Sequence, residues 1–169
     1  LANCEPIRHV IYTGGEPTLQ PFHRIQKELG PRWTAEIETN GTTIPHLLFE
    51  DFTLSDYARF QWNVSPKGEV AGGALKPDAL RHWAEISKKH RKIYFKFVIR
   101  KNHAFEDLES VLITAKAHNL SRSRLLLMSE GNGRDSQVEG AWLAEICGKQ
   151  NIRYTPRLHV ILYGSKRGV

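Results

Sequence analysis

The chain has 169 residues, 40% of them hydrophobic, with seven Phe, five Tyr and four Trp. That length suits a single domain over residues 1–169, and the apolar content excludes a disordered segment. The formal net charge is +6, but the basic residues are scattered. Pairs such as Arg91-Lys92 and Arg100-Lys101 are not the basic run that nucleic-acid binding uses, and they read as a solvated surface.

Short apolar runs alternate with helical patterns, the signature of βα units and a parallel sheet. A first strand is expected over residues 8–12 and a helix over 17–29. There Leu19, Phe22, Ile25 and Leu29 step by three and four, as one inward face requires. Pro17 suits the first turn and Gly30 the position after the last. A second strand follows at 34–38, a weakly patterned stretch with a short helix at 44–57, and a third strand at 60–64. A glycine-bearing loop leads to a helix over 77–90, with Leu80, Trp83, Ala84 and Ile86 inward. The fourth strand, 93–99, is continuously apolar except for Lys96. A buried Lys96 would need a partner, unless it snorkels to the rim.

A helix over 105–118 then places Phe105, Leu108, Val111, Leu112 and Ala115 on one face. The fifth strand is 124–128. The last helix, 136–150, would bury Val138, Trp142, Leu143 and Ile146, and an extended segment closes the chain over 152–163. The fold class is therefore α/β, an open or incomplete (β/α) barrel of about five parallel strands alternating with helices.

In such sheets ligands bind at the carboxyl ends of the strands. The strand ends carry Thr13-Gly14-Gly15-Glu16-Pro17, then Glu38-Thr39-Asn40-Gly41-Thr42, Ser65-Pro66-Lys67-Gly68, Arg100-Lys101-Asn102 and Met128-Ser129-Glu130-Gly131. Two adjacent glycines let backbone approach a ligand closely. Glu16 is an acceptor that suits an ammonium group, and Lys67 is a point charge that suits a carboxylate. Each motif also reads as local structure. Gly-Gly-Glu-Pro fits a helix start, where an acid favours the dipole. Asn-Gly is a turn signal, and Ser-Pro-Lys-Gly fits a surface turn. Their recurrence at successive strand ends favours a polar ligand site.

The order of these residues resembles the radical S-adenosylmethionine superfamily, whose GGEP motif matches Gly14-Gly15-Glu16-Pro17. Within it the chain most resembles the 7-carboxy-7-deazaguanine synthase family. The likeness also runs through Glu38-Thr39-Asn40-Gly41-Thr42, Ser65-Pro66-Lys67, Lys96-Phe97-Val98, Leu127-Met128-Ser129-Glu130-Gly131 and Arg157-Leu158-His159-Val160. It extends to the closing stretch that ends at Val169. The resemblance implies a (β/α)6 radical-SAM-type barrel. It assigns S-adenosylmethionine to Gly14, Gly15, Glu16, Pro17, Thr39, Asn40, Ser65, Pro66, Lys67, Met128, Ser129, Glu130 and Gly131. It assigns the pterin substrate, 6-carboxy-5,6,7,8-tetrahydropterin, to Thr13, His159 and the carboxylate region at Val169. Ser129 departs from the family pattern, which has proline there. On residues alone His159 reads as a hydrogen-bonded structural residue.

The family also holds a [4Fe–4S] cluster on three cysteines and a magnesium ion. Thiolates suit such a cluster, but this sequence has two cysteines, Cys4 and Cys147, with no disulfide or zinc pattern. Both read as small buried apolar residues, so no metal ligand is assigned. The chain opens on Leu1 and enters a strand almost at once, without a signal peptide, which reads as a fragment. A reducing cytoplasm is the expected compartment, and no apolar run approaches the roughly 20 residues of a membrane span. A missing βα unit would expose a strand edge, so a homo-oligomer through that edge is expected. Three functions follow, namely part of a ring-contracting radical enzyme inactive alone, a cluster-less nucleoside-binding module or pseudoenzyme, or a glycyl-radical-activating relative. The Arg157-Leu158-His159 stretch disfavours the last.

Overall fold

A computed structural model of the chain describes residues 8–66, 76–131 and 133–164, apart from the His159 side chain. Cys4, Lys67, Gly68 and Val169 lie outside the described residues. Among the described residues the fold is α/β, with six strands alternating with helices. It divides into two compact units, residues 1–93 and 94–169. None of the described helices is long and apolar enough to cross a membrane.

In the first unit β1 (His9–Tyr12), β2 (Thr34–Thr39) and β3 (Phe60–Val64) pair in parallel in chain order. Ala35, Ile37, Phe60, Trp62 and Val64 alternate onto the buried face, as the period of two in a strand requires. An aromatic cluster fills that face. Trp62 lies 5.1 Å from both Tyr57 and Trp83, and 5.8 Å from Phe22, between ring centroids. The Trp62 indole N–H donates to the Tyr57 carbonyl at 3.0 Å, so this buried ring carries no unmet donor. Trp83 comes from α3 (Pro77–Lys89), whose inward residues Leu80, Trp83, Ala84 and Ile86 are all buried, as the spacing predicts.

The helix expected over 17–29 is broken. A single 3-10 turn, Pro17–Leu19, is followed by α1 (Phe22–Leu29). Pro21 forces the break, because the residue before a proline is driven out of the helical region, and Gln20 is extended. The inward face also differs. Leu19 and Ile25 are 55% and 53% exposed, while His23 and Gln26 are buried. Each polar residue inside has a partner. Gln26 donates to the Trp33 carbonyl at 2.9 Å and accepts from the Tyr12 hydroxyl at 3.3 Å. His23 Nε2 meets Asp51 at 3.0 Å, where Arg24 also binds. The stretch 44–57 holds α2 (Pro45–Leu48) and the start of a 3-10 turn, Leu54–Arg59.

The second unit pairs β4 (Ile93–Ile99), β5 (Leu125–Ser129) and β6 (Arg153–Tyr154) in parallel. In α4 (Ala104–Ala117) Val111 and Ala115 are buried, but Phe105 is 76% exposed, against expectation. The first turn of α4 turns inward through Asp107 instead. Its carboxylate receives the Arg100 guanidinium at 2.7 and 3.0 Å and the Arg100 backbone N–H at 2.8 Å. The helix expected over 136–150 is two helices, α5 (Arg134–Val138) and α6 (Ala141–Gln150), with Gly140 at the break close against Tyr154. Leu143 and Cys147 are buried, while Val138 is exposed and Trp142 and Ile146 are half-buried. The closing stretch is not extended throughout, since α7 (Leu158–Tyr163) forms there.

Burial raises the Asp107 carboxyl, and the Arg100 hydrogen bonds more than reverse this, leaving it below its ordinary value. A lowered folded value gives stability that is full above the unfolded value of about 3.9 and is lost as pH falls through the folded one. Asp107→Asn therefore costs about 2 kcal/mol at pH 7, and its gap from wild type narrows between pH 5 and 3 in urea unfolding. A gap that is constant with pH would contradict this.

Candidate functional site

The first unit builds its rim around Glu16. β1 ends at Tyr12, and the next residues turn through Gly14 and Gly15, at φ +83° and +57°. This left-handed conformation favours glycine. Thr13, Gly14 and Gly15 are exposed, and nothing lies within 4 Å of where a Cβ would sit on either glycine. Pro17 and Thr18 are buried beneath them. Glu16 caps the 3-10 turn that follows, as the helix-start reading anticipates.

Its carboxylate also reaches across to the loop after β2. Oε1 accepts from the Thr18 N–H at 3.0 Å, the Thr18 hydroxyl at 2.5 Å and the Thr39 hydroxyl at 2.6 Å. Oε2 accepts from the Asn40 N–H at 2.9 Å. The Thr43 hydroxyl contacts the Thr18 hydroxyl. Each carboxylate oxygen thus holds one backbone N–H. Thr39 is itself buried, and its hydroxyl accepts from the Gly41 N–H at 3.0 Å. The Asn40 side-chain oxygen accepts from the Thr42 N–H and hydroxyl at 2.8 and 2.6 Å, which is the local turn chemistry of Asn. Ser65 joins the third strand end, donating its N–H to the Thr39 carbonyl at 2.8 Å. Glu16, Thr39, Asn40 and Ser65 are therefore brought together by direct bonds, and Pro66 follows Ser65 at the same strand end.

In the second unit Met128 and Ser129 end β5 and are buried, while Glu130 is exposed. The Glu130 N–H donates to the Ile99 carbonyl at 2.9 Å. Gly131 turns at φ +123° tightly against Ser136 of α5. Gln137 of α5, 2% exposed, donates to the Ser129 and Gly131 carbonyls, both at 3.0 Å. Its oxygen accepts the Arg157 N–H at 2.9 Å. His159 lies on α7 by its backbone.

Thr18, Thr43 and Gln137 are absent from the sequence-derived set. Thr18 had a faint signal, an acid two residues before a hydroxyl at a helix start. The other two had none, because a Thr in a loop and a Gln on a helix read as solvated. Among the described residues no group of three or more His, Cys, Asp or Glu is placed to hold a metal. Cys147 is buried in α6, and burial pushes its thiol up to about 11, the reverse of what a thiolate ligand needs. Two cysteines do not fit a cluster held by three.

The rim yields two expectations. In Glu16→Gln, either amide orientation sets an NH2 against a backbone N–H, so about 2 kcal/mol is lost and Tm falls by several degrees. In Gly41→Ala, the added Cβ would sit 2.6 Å from Val64 Cγ1 at φ +71°, costing about 2 kcal/mol or more. Calorimetric unfolding checks both, and unchanged Tm values would refute the packing described.

No protein-family model matches the chain. Its sequence is 28% identical over 168 residues to the 7-carboxy-7-deazaguanine synthase of Pyrobaculum aerophilum, across 96% of this chain and 68% of that protein. Over nearly its whole length, the chain is a distant homologue of 7-carboxy-7-deazaguanine synthase.

Proposed function

We propose that the chain carries the S-adenosylmethionine and pterin recognition of a 7-carboxy-7-deazaguanine synthase. The carrying observation is the exposed Gly14–Gly15 turn, which runs into Glu16, whose carboxylate ties it to Thr18, Thr39 and Asn40. An adenosylmethionine molecule offers an ammonium, a carboxylate and a ribose. The open carbonyls near Gly14 and Gly15 suit the ammonium. Glu16 orients that turn through Oε1, and Oε2, which accepts the Asn40 N–H, keeps lone-pair capacity for the ammonium. In the first unit the Asn40 amide group, Ser65 and Lys67 are assigned further polar contacts to the cofactor, and by the same resemblance the turn Met128–Gly131 of the second unit carries a cofactor assignment of its own. Thr13 in the first unit, and His159 and the Val169 carboxylate in the second, are assigned to the pterin in the same way. In the resembling family a [4Fe–4S] cluster would supply the electron for the radical chemistry. The two cysteines here do not fit such a cluster, and the chain alone binds without turning over. The setting is cytoplasmic, with self-association through a strand edge.

A second reading, a nucleoside-binding module without redox chemistry, rests on the same exposed glycine turn and on a sequence with two cysteines where a cluster takes three. It shares the cofactor assignment and differs in lacking the radical step.

Calorimetric titration with S-adenosylmethionine tests the shared claim. Saturable heat is expected below millimolar ligand. Gly15→Ala meets no protein atom within 4 Å and costs the fold only about 1 kcal/mol of backbone strain, yet its methyl faces the ligand. Binding should weaken tenfold or more while Tm moves only a few degrees. No heat from the wild-type chain at millimolar ligand would end both readings.

A further inference from the structure

We infer that Gln137 is a positioning residue that fixes the turn after β5 and couples it to the segment leading into α7. The geometry stands on its own, and only the names of the ligands rest on the function proposed above. Gln137 is 2% exposed and uses both amide hydrogens, one on the Ser129 carbonyl and one on the Gly131 carbonyl, each at 3.0 Å. Its oxygen takes the Arg157 N–H at 2.9 Å. A flipped amide would set oxygen against two carbonyls and NH2 against an N–H, so one orientation is enforced. A Glu would set carboxylate oxygen against the same carbonyls. A hydrocarbon would leave three backbone groups unmet, of the kind that buried protein almost always pairs.

The two clamped segments have different tasks in the proposed function. The turn at 128–131 faces the nucleoside cofactor, and the segment at 157–159 faces the pterin. Ser129 stands where the resembling family has proline. Proline stiffens a turn covalently, by fixing φ. Here the stiffness comes from Gln137, helped by a longer bond of 3.4 Å from the Ser129 hydroxyl to the Ser136 carbonyl. Proline could hold only its own turn. The planar amide of Gln137 holds the turn and the Arg157 segment together, so displacement of one wall is transmitted to the other. Such coupling is reciprocal, since each ligand must then change the affinity of the other by the same factor.

Hydrogen exchange of the whole chain, read by mass spectrometry, tests the clamp without any ligand. Gln137→Met removes the three bonds at similar volume. Peptides covering 129–133 and 155–158 should exchange at least tenfold faster together, with β1, β2 and β3 unchanged. Gln137→Asn, which keeps the amide but withdraws it by one methylene, is the milder second variant and should move the same two peptides. Adding Ser129→Pro to Gln137→Met should slow the turn again and leave 155–158 fast. Unchanged exchange in both segments, a rise spread over the whole chain, or recovery of both segments with Ser129→Pro would each overturn the inference. A calorimetric arm adds that Gln137→Met weakens S-adenosylmethionine about tenfold and that Ser129→Pro restores it. A wild-type chain that binds none refutes the proposed function, while the exchange result still decides the role of Gln137.

Discussion

The carboxylate of Glu16 settles an accounting problem at the end of a parallel sheet. Where β1 and β2 stop pairing, their backbone N–H groups lose the ladder that satisfied them, and unpaired buried groups are costly. One carboxylate has two oxygens, and here each takes one backbone N–H, from Thr18 on its own loop and Asn40 on the neighbouring one. Thr39 passes the chain of bonds on to Gly41, and its carbonyl passes it to Ser65. Three strand ends become one bonded rim, and the exposed glycine turn rides on top. The same residue that marks the motif in the sequence is what holds that motif in shape.

The alternation of strand and helix was plain from the sequence, and β3 and β4 fall on the expected residues. Aromatic and β-branched residues recur through both runs, at alternate positions in β3 and at all but Lys96 in β4, and admit few other readings there. Helix faces were read less well, for a definite reason. Periodicity counts apolar residues and cannot see a polar residue that arrives with its partner. His23 and Gln26 sit inside because Asp51, Tyr12 and Trp33 wait for them, and the exposed Leu19 and Ile25 carry the apolar count outward. At the end of the chain Val160, Ile161 and Leu162 look like a strand by local preference, yet they lie in α7, where contacts from far along the chain outweigh propensity.

The rim motifs were legible as an ordered set, but their internal division of labour was not. A carboxylate after two glycines reads as a receptor for an ammonium ion. Only geometry shows that each of its oxygens already accepts a backbone N–H. Thr39 reads as a ligand contact, while its hydroxyl is spent between Glu16 and Gly41. Gln137 shows the converse. A glutamine on a short helix has no sequence signal, yet it closes three hydrogen bonds around a turn that the family pattern would have stiffened with proline.

The described hydrogen bonds shape the strand-end turns without a cysteine. Affinity improves when the receptor is ordered before the ligand arrives, because less freedom is then lost on binding. Every bond that shapes the rim of the first unit runs between groups of this chain, and none waits on a cysteine. A cluster supplies electrons, but it does not hold Glu16 against Asn40. The turn in the second unit is likewise held from within, by Gln137. The side chains that build these turns are Glu16, Thr18, Thr39, Asn40 and Gln137, and no cysteine is among them.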